Sequence, residues 1–194
     1  MKIIRPNSKK LEKIYNRGMV KSRRVEEKVK RIIEDVRVFG DEALIKYTRK
    51  FDGVKLSARQ LKVSQIEISG AYQNITPHFV SSLKVAMENV TRFYRKTIRK
   101  SWRLKDADGI VLGENYTPID RVGIYIPAGT APLVSTVYMT VLPAKIAGVK
   151  KIVLVSPPDE QGNINPHILV VADLLKVDEV YRICLLYTSP SPRD

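Results

Sequence analysis

Arg121-Val-Gly-Ile-Tyr-Ile126, Lys151-Ile-Val-Leu-Val155 and Glu179-Val-Tyr-Arg-Ile183 are three short runs rich in β-branched and aromatic residues. Such runs favour strands, and what lies between them decides the fold. After the first comes a loop, Pro127-Ala-Gly-Thr-Ala-Pro132, and then a helical stretch from about Leu133 to Ala147, stopped by Gly148. After the second comes Ser156-Pro-Pro-Asp159, and then a helix capped by Asn165-Pro166 that runs through about Leu175. Strand, helix, strand, helix, strand at this spacing predicts a parallel βαβαβ unit with right-handed crossovers. The expected fold class is therefore α/β: a mostly helical N-terminal segment, residues 1–118, followed by a partial Rossmann-like parallel unit, residues 119–183.

Upstream, Val25, Val29, Ile32, Ile33, Val36 and Phe39 recur at three- and four-residue steps, which predicts an amphipathic helix. Gly40 fits the position just after it, where a positive φ costs glycine nothing, and Asp41 is read as the N-cap of a short helix burying Leu44, Tyr47 and Phe51. Asp52-Gly53 marks a turn. Ser64 or Ser69 starts a helical piece ending at Ala71. Thr76-Pro77 opens a longer helix with Phe79, Leu83, Ala86, Val90 and Phe93 on its buried face. Ile110 to Pro118 reads as extended, with a break at Gly113. The sheet is expected to stop at 179–183 with that strand's outer edge unpaired.

The chain has 194 residues, 44% of them apolar, which suits a folded globular protein. No apolar run reaches the length of a membrane span, and the start, Met1-Lys-Ile-Ile-Arg-Pro6, lacks a signal peptide's apolar stretch; a cytoplasmic protein is expected. The single cysteine, Cys184, excludes an internal disulfide. His78 and His167 are the only histidines, and neither has a second histidine or cysteine at ligand spacing, so no metal site is assigned.

A net charge of +14 raises the possibility of nucleic acid as a partner. The excess sits in Lys21, Arg23, Arg24, Lys28, Lys30 and Arg31, and in a run from Arg92 to Lys105. In the second, Arg92, Arg95, Arg99 and Arg103 stand at helical spacing and are expected to form one stripe. The aromatic interleaving that stacks bases is thin there, so a solvated helix face is the preferred reading and nucleic acid is not the expected partner.

Ligands of open α/β sheets bind outside the carboxyl ends of the strands. Two loops leave such ends, 127–132 and 156–162. The first has features that suit a dinucleotide. Gly129 permits close backbone approach, Thr130 offers a hydroxyl, and the following helix N-terminus offers free N–H groups to a pyrophosphate. Tyr125, at the end of its strand, can pack or hydrogen-bond against a nucleotide. The Gly-x-Gly-x-x-Gly fingerprint is missing, so a plain strand-to-helix turn remains the alternative. Asp41-Glu42 and Asp159-Glu160 are adjacent carboxylates in cap or loop positions, and no catalytic constellation can be assembled.

The stretch Asp120 to Lys150, with Gly123-Ile-Tyr-Ile-Pro-Ala-Gly-Thr-Ala-Pro-Leu133 at its centre, resembles the signature of the histidinol dehydrogenase family, as does Ile152-Val-Leu-Val-Ser-Pro-Pro158. Gly40-Asp-Glu-Ala-Leu44 and Lys50-Phe-Asp52 resemble the family's N-terminal segment, and the similarity runs from about Glu26 to Ile183. The resemblance implies an aldehyde-dehydrogenase-like α/β enzyme, a homodimer that oxidises L-histidinol to L-histidine in two NAD-dependent steps through L-histidinal. It further implies a zinc ion that holds the substrate and a Glu-His pair that moves protons. Carried onto this chain, Tyr125 corresponds to an NAD-contacting tyrosine, and Pro127 and Pro157 to loop prolines flanking the adenine.

The family's next motif, Gly-Gly-Ala-Gln, is expected directly after Ile183, where Cys184 stands. The zinc ligands and the proton-handling pair are expected beyond that point, so the fragment is expected to be inactive. Residues 184–194 resemble translated sequencing-adapter read-through and are expected not to be native to the gene. The loop also departs from the family's usual Pro-Gly-Gly, having Pro127-Ala128-Gly129. The alternatives are a basic nucleic-acid-binding helical protein, a stand-alone nucleotide-binding module, and a related NAD-dependent alcohol dehydrogenase with another substrate.

Overall fold

A computed structural model describes residues 23–127 and 132–183. The elements, in chain order, are α1 (Arg23–Phe39), α2 (Asp41–Asp52), α3 (Ala58–Leu61), α4 (Gln65–Ala71), a 3-10 turn (Tyr72–Asn74) and α5 (Pro77–Thr97), followed by β1 (Trp102–Lys105), β2 (Val111–Glu114), β3 (Arg121–Tyr125), α6 (Val134–Ile146), β4 (Lys151–Ser156), α7 (Pro166–Leu174) and β5 (Glu179–Arg182). The expected α/β class is what the chain adopts. β3, β4 and β5 form a parallel sheet in that order, with Tyr125 opposite Val155 and Leu154 opposite Val180.

The apolar runs of β4 and α7 bury residues on every side, as both are enclosed. Ile152, Leu154, Ile168, Val170 and Val171 are almost wholly inaccessible. One apolar core takes in these residues, Val137 and Val141 of α6, and Val63, Ala71 and Leu83 of the helical segment. Local chemistry fixes the helix starts. Ser64 accepts from the Glu67 N–H while Glu67 accepts from the Ser64 N–H, a reciprocal cap that settles the start of α4 at Ser64 rather than Ser69. The Thr76 hydroxyl accepts from the Phe79 N–H with Pro77 behind it, and the Asn165 side-chain Oδ1 accepts from the His167 N–H. The Tyr72 hydroxyl donates to Asp173 at 2.7 Å, tying the 3-10 turn to α7. Burial and that carboxylate push the phenol up to about 12.

Several expectations are corrected. Gly40, at φ 52°, takes the cap position itself, and Asp41 is the first helical residue. α1 and α2 follow with no spacer, so one glycine serves both ends. Of the α1 face, only Val29, Ile32 and Val36 are half-buried; Val25, Ile33 and Phe39 are exposed. In α2, Tyr47 is buried while Leu44 and Phe51 are only partly so. Phe93 is exposed near the end of α5, and Tyr94 is the half-buried aromatic there. The basic stripe is broken. α5 stops at Thr97, Ile98 turns extended, and Arg103 lies on β1.

The extended region is an antiparallel ribbon, β1 with β2, and Gly113 pairs with Arg103 instead of breaking a strand. β1 went unread because both faces of the ribbon are exposed and no alternation marks it. A Cβ on Gly113 would fall far inside contact distance of the Trp102 carbonyl oxygen. Gly113→Ala is therefore expected to unpair the ribbon and leave the main core intact. Trp102 emission should change while the main unfolding midpoint stays put; an unchanged spectrum would contradict the pairing.

The edge strand also differs from expectation. Lys62 bridges Tyr181 on the outside of β5, and the Val63 N–H donates to the Val180 carbonyl. β5 is thus met on its outer side at one position, while among the described residues no strand or bridge lies outside β3 in the parallel sheet. The amino-terminal end of the sheet is fastened by Glu179. Its carboxylate meets Lys62 at 3.0 Å, Lys151 at 3.3 Å and Arg121 at 3.4 Å, gathering all three strands. The Lys62 ammonium, and then Lys151, hold Glu179 below the usual carboxylate range despite partial desolvation.

Candidate functional site

The crevice opens at the carboxyl ends of β3 and β4. Parallel strands of unequal length leave their final backbone groups to be met by loops. Here the Ile126 N–H donates to the Val155 carbonyl at 2.8 Å, which extends the pairing past Tyr125 and anchors the start of the 127–132 loop. Ile126 is fully buried and Tyr125 half-buried. Beyond β4, Ser156, Pro157 and Pro158 are all buried. The Ile183 N–H donates to the Ser156 carbonyl at 3.1 Å, so β5 supports the same turn from behind.

The 156–165 loop is held from within. Asp159 Oδ1 accepts from the N–H groups of Gln161 (3.0 Å) and Asn163 (2.8 Å), and the Gly162 N–H donates to the Asp159 carbonyl with Gly162 at φ +85°. Arg182, buried on β5, donates to the Gly162 carbonyl at 2.9 Å and to Glu67. That pair joins the loop, the sheet and α4 through one guanidinium. Burial pushes the Glu67 carboxyl up, but the Ser64 N–H, then Arg182 and the Ser64 hydroxyl, outweigh it and leave Glu67 below its ordinary range.

A cavity of about 310 Å³ sits on this turn. It is lined by Pro157, Pro158, Asp159 and Glu160, by Asn165 and Pro166 at the start of α7, and by Pro132 and Asp52. Pro157 lines this cavity. Tyr125 and Pro127 lie at the neighbouring strand end and do not line this cavity. Gly129 and Thr130 lie outside the described residues. α6 begins after Leu133 with no side-chain cap among the described residues.

Asp52 and Asn165 were not read as site residues in the sequence. Each stands about a hundred or more positions from one of its neighbours in the cavity, and only the packing of α2 beside the β4 turn brings Asp52 there.

The histidines hold no metal constellation. His78 is exposed, and His167 lies edge-on to Phe79 with its Nδ1 3.2 Å from Asn165. Among the described residues no group of three His, Cys, Asp or Glu side chains could hold a metal ion. The described residues therefore do not fit a zinc site.

The family model for histidinol dehydrogenase matches residues 15–184. A histidinol dehydrogenase from Synechococcus sp. is 42% identical over 158 residues, covering 81% of this chain and 36% of that relative. One from Carboxydothermus hydrogenoformans is 42% identical over 183 residues, covering 94% of this chain and 43% of that relative. The crystal structure of the histidinol dehydrogenase from Elizabethkingia anophelis superposes with a TM-score of 0.77 at 36% identity, covering 82% of this chain and 36% of that one. The chain thus spans 36% to 43% of the length of these relatives.

The fold and its crevice define a parallel α/β unit of the kind that receives ligands at the carboxyl ends of its strands. The chain belongs to the histidinol dehydrogenase family, a family of oxidoreductases of histidine biosynthesis.

Proposed function

We propose that this chain is the N-terminal portion of an enzyme that oxidises L-histidinol to L-histidine through L-histidinal, and that its crevice receives the adenosine side of NAD. The observation that carries the reading is the coincidence of the family match with a hollow at the carboxyl end of β4. Its buried prolines fit the group. Pro157 and Pro158 give a flat apolar wall for a base, Asn165 gives an amide for polar contact, and the first turn of α6 gives N–H groups for a phosphate. Tyr125 orients the dinucleotide from the adjoining strand end. Bound NAD supplies the hydride acceptor. Zinc, the proton-handling groups and the homodimer contacts are assigned to the rest of the enzyme, since the described residues offer no group of metal ligands.

The test is a titration of the 194-residue chain with NAD. Weak saturable binding is expected, reduced about tenfold by Tyr125→Ala, the scale of a lost aromatic contact. No binding, or binding indifferent to Tyr125→Ala, would overturn the cradle. The same preparation is expected to form no NADH from histidinol; NADH formation would contradict the division of labour proposed here.

A further inference from the structure

We infer that the cleft between α1 and α2 is an anion site, one that takes a compact polyphosphate with a free terminal phosphate, of which pyrophosphate is the simplest. A cavity of about 480 Å³ lies there, within the size range of small-molecule sites. It is separate from the crevice beyond β4, and the two share no lining residue.

Two helices bring cations to this hollow. Lys28 and Arg31 stand one turn apart on α1, and Lys46 and Lys50 one turn apart on α2, so each pair shares a helix surface. All four line the cavity. Aromatic rings hold the α2 pair. Tyr47 and Phe51 stack at 5.7 Å, with the Lys46 ammonium 5.4 Å from the Tyr47 centroid and the Lys50 ammonium 5.5 Å from that of Phe51. The one carboxylate among the described lining residues is already engaged. Asp35 accepts from the Tyr47 hydroxyl at 2.6 Å and meets Lys46 at 3.3 Å. Lys28, Arg31 and Lys50 form no ion pair among the described residues. Like charges gathered round one hollow repel, and an anion seated among them removes that cost. Phosphate oxygens accept charge-assisted hydrogen bonds from ammonium and guanidinium groups alike. These cations surround a hollow rather than follow a line, which suits a compact polyphosphate better than the backbone of a duplex. Lys28 and Arg31, part of the first basic run, thereby gain a role beyond solvation.

The test titrates the 194-residue chain with inorganic pyrophosphate by calorimetry. Saturable binding of one equivalent is expected, weakening as salt is raised. Lys28→Glu and Lys50→Glu, one on each helix, should each weaken it at least about tenfold, the scale of one charged contact near a surface. Lys96→Glu on α5 changes the net charge by the same amount and should leave the affinity within about twofold. All three lysines are exposed, so the unfolding midpoint should stay put in each variant. No saturable binding overturns the site. Equal losses in all three variants also overturn it, by tracing the attraction to overall charge. Duplex DNA bound more tightly than pyrophosphate, and released by the same two substitutions, overturns the choice of ligand and assigns the cleft to nucleic acid.

Discussion

Leu154→Ala is expected to lower the unfolding free energy by about 3 kcal/mol, the middle of the range for removing a large aliphatic side chain from a packed interior. Leu154 is fully buried on β4, the central strand, between Ile124 and Val180 on its two neighbours. The sheet has α6 and α7 packed with it in one core, so little can collapse into the space left behind. A urea titration followed by far-ultraviolet circular dichroism would show the midpoint falling with the slope unchanged. Leu104 on the exposed ribbon is the control, and its alanine variant should differ from wild type by less than about 0.5 kcal/mol. Equal losses at both positions would place the core elsewhere.

The second large effect concerns Glu67. Its carboxylate pairs with Arg182, whose guanidinium is buried on β5, and it also caps α4 through the Ser64 N–H. Glu67→Ala leaves a buried cation without its counter-charge and removes half of the cap. A loss of about 2 kcal/mol is expected, less than for a fully buried pair because Glu67 is partly in water. The effect should depend on pH with a defined sign. Burial raises the Glu67 carboxyl, but the Ser64 and Arg182 contacts win and its folded value is depressed. A depressed carboxyl contributes stability that is complete above the ordinary glutamate range and is lost as pH falls through the lowered value. The difference between wild type and Glu67→Ala should therefore be largest near neutrality and shrink in acid. A difference that grows on acidification would contradict the pairing.

Much of the parallel sheet was legible because its physics is local. β3, β4 and β5 each begin where their apolar runs begin and end within a residue of them, and Gly148 closes the first crossover at φ +90°. Thr76, Ser64 and Asn165 announced their helices through the side chains that cap them. The ribbon was hidden because its pattern is set by pairing alone. Trp102, Leu104, Val111 and Leu112 are exposed, and no buried face imposes an alternation. The stripe of arginines failed for a related reason, since helical spacing continues on paper past Thr97 while the backbone does not.

The candidate site was half legible. The strand end and the loop after it pointed to Tyr125, Gly129 and Thr130, whereas Pro127 and Pro157 entered only through the family resemblance. Asp52 enters the same crevice from α2, and Arg182 steadies the Gly162 turn through a contact with Glu67 that spans the chain. Contacts of that reach leave no periodicity in a sequence.

The proposed dinucleotide site of this basic chain lies at the carboxyl ends of β3 and β4. Amide chemical-shift mapping of the 194-residue chain during an NAD titration tests it most directly. The perturbed amides should cluster at 125–126, at 133–135 on the start of α6, and along the 156–167 turn, with the 92–105 region silent. Perturbations centred on Arg92 to Lys105, or spread with the positive charge over the surface, would contradict it.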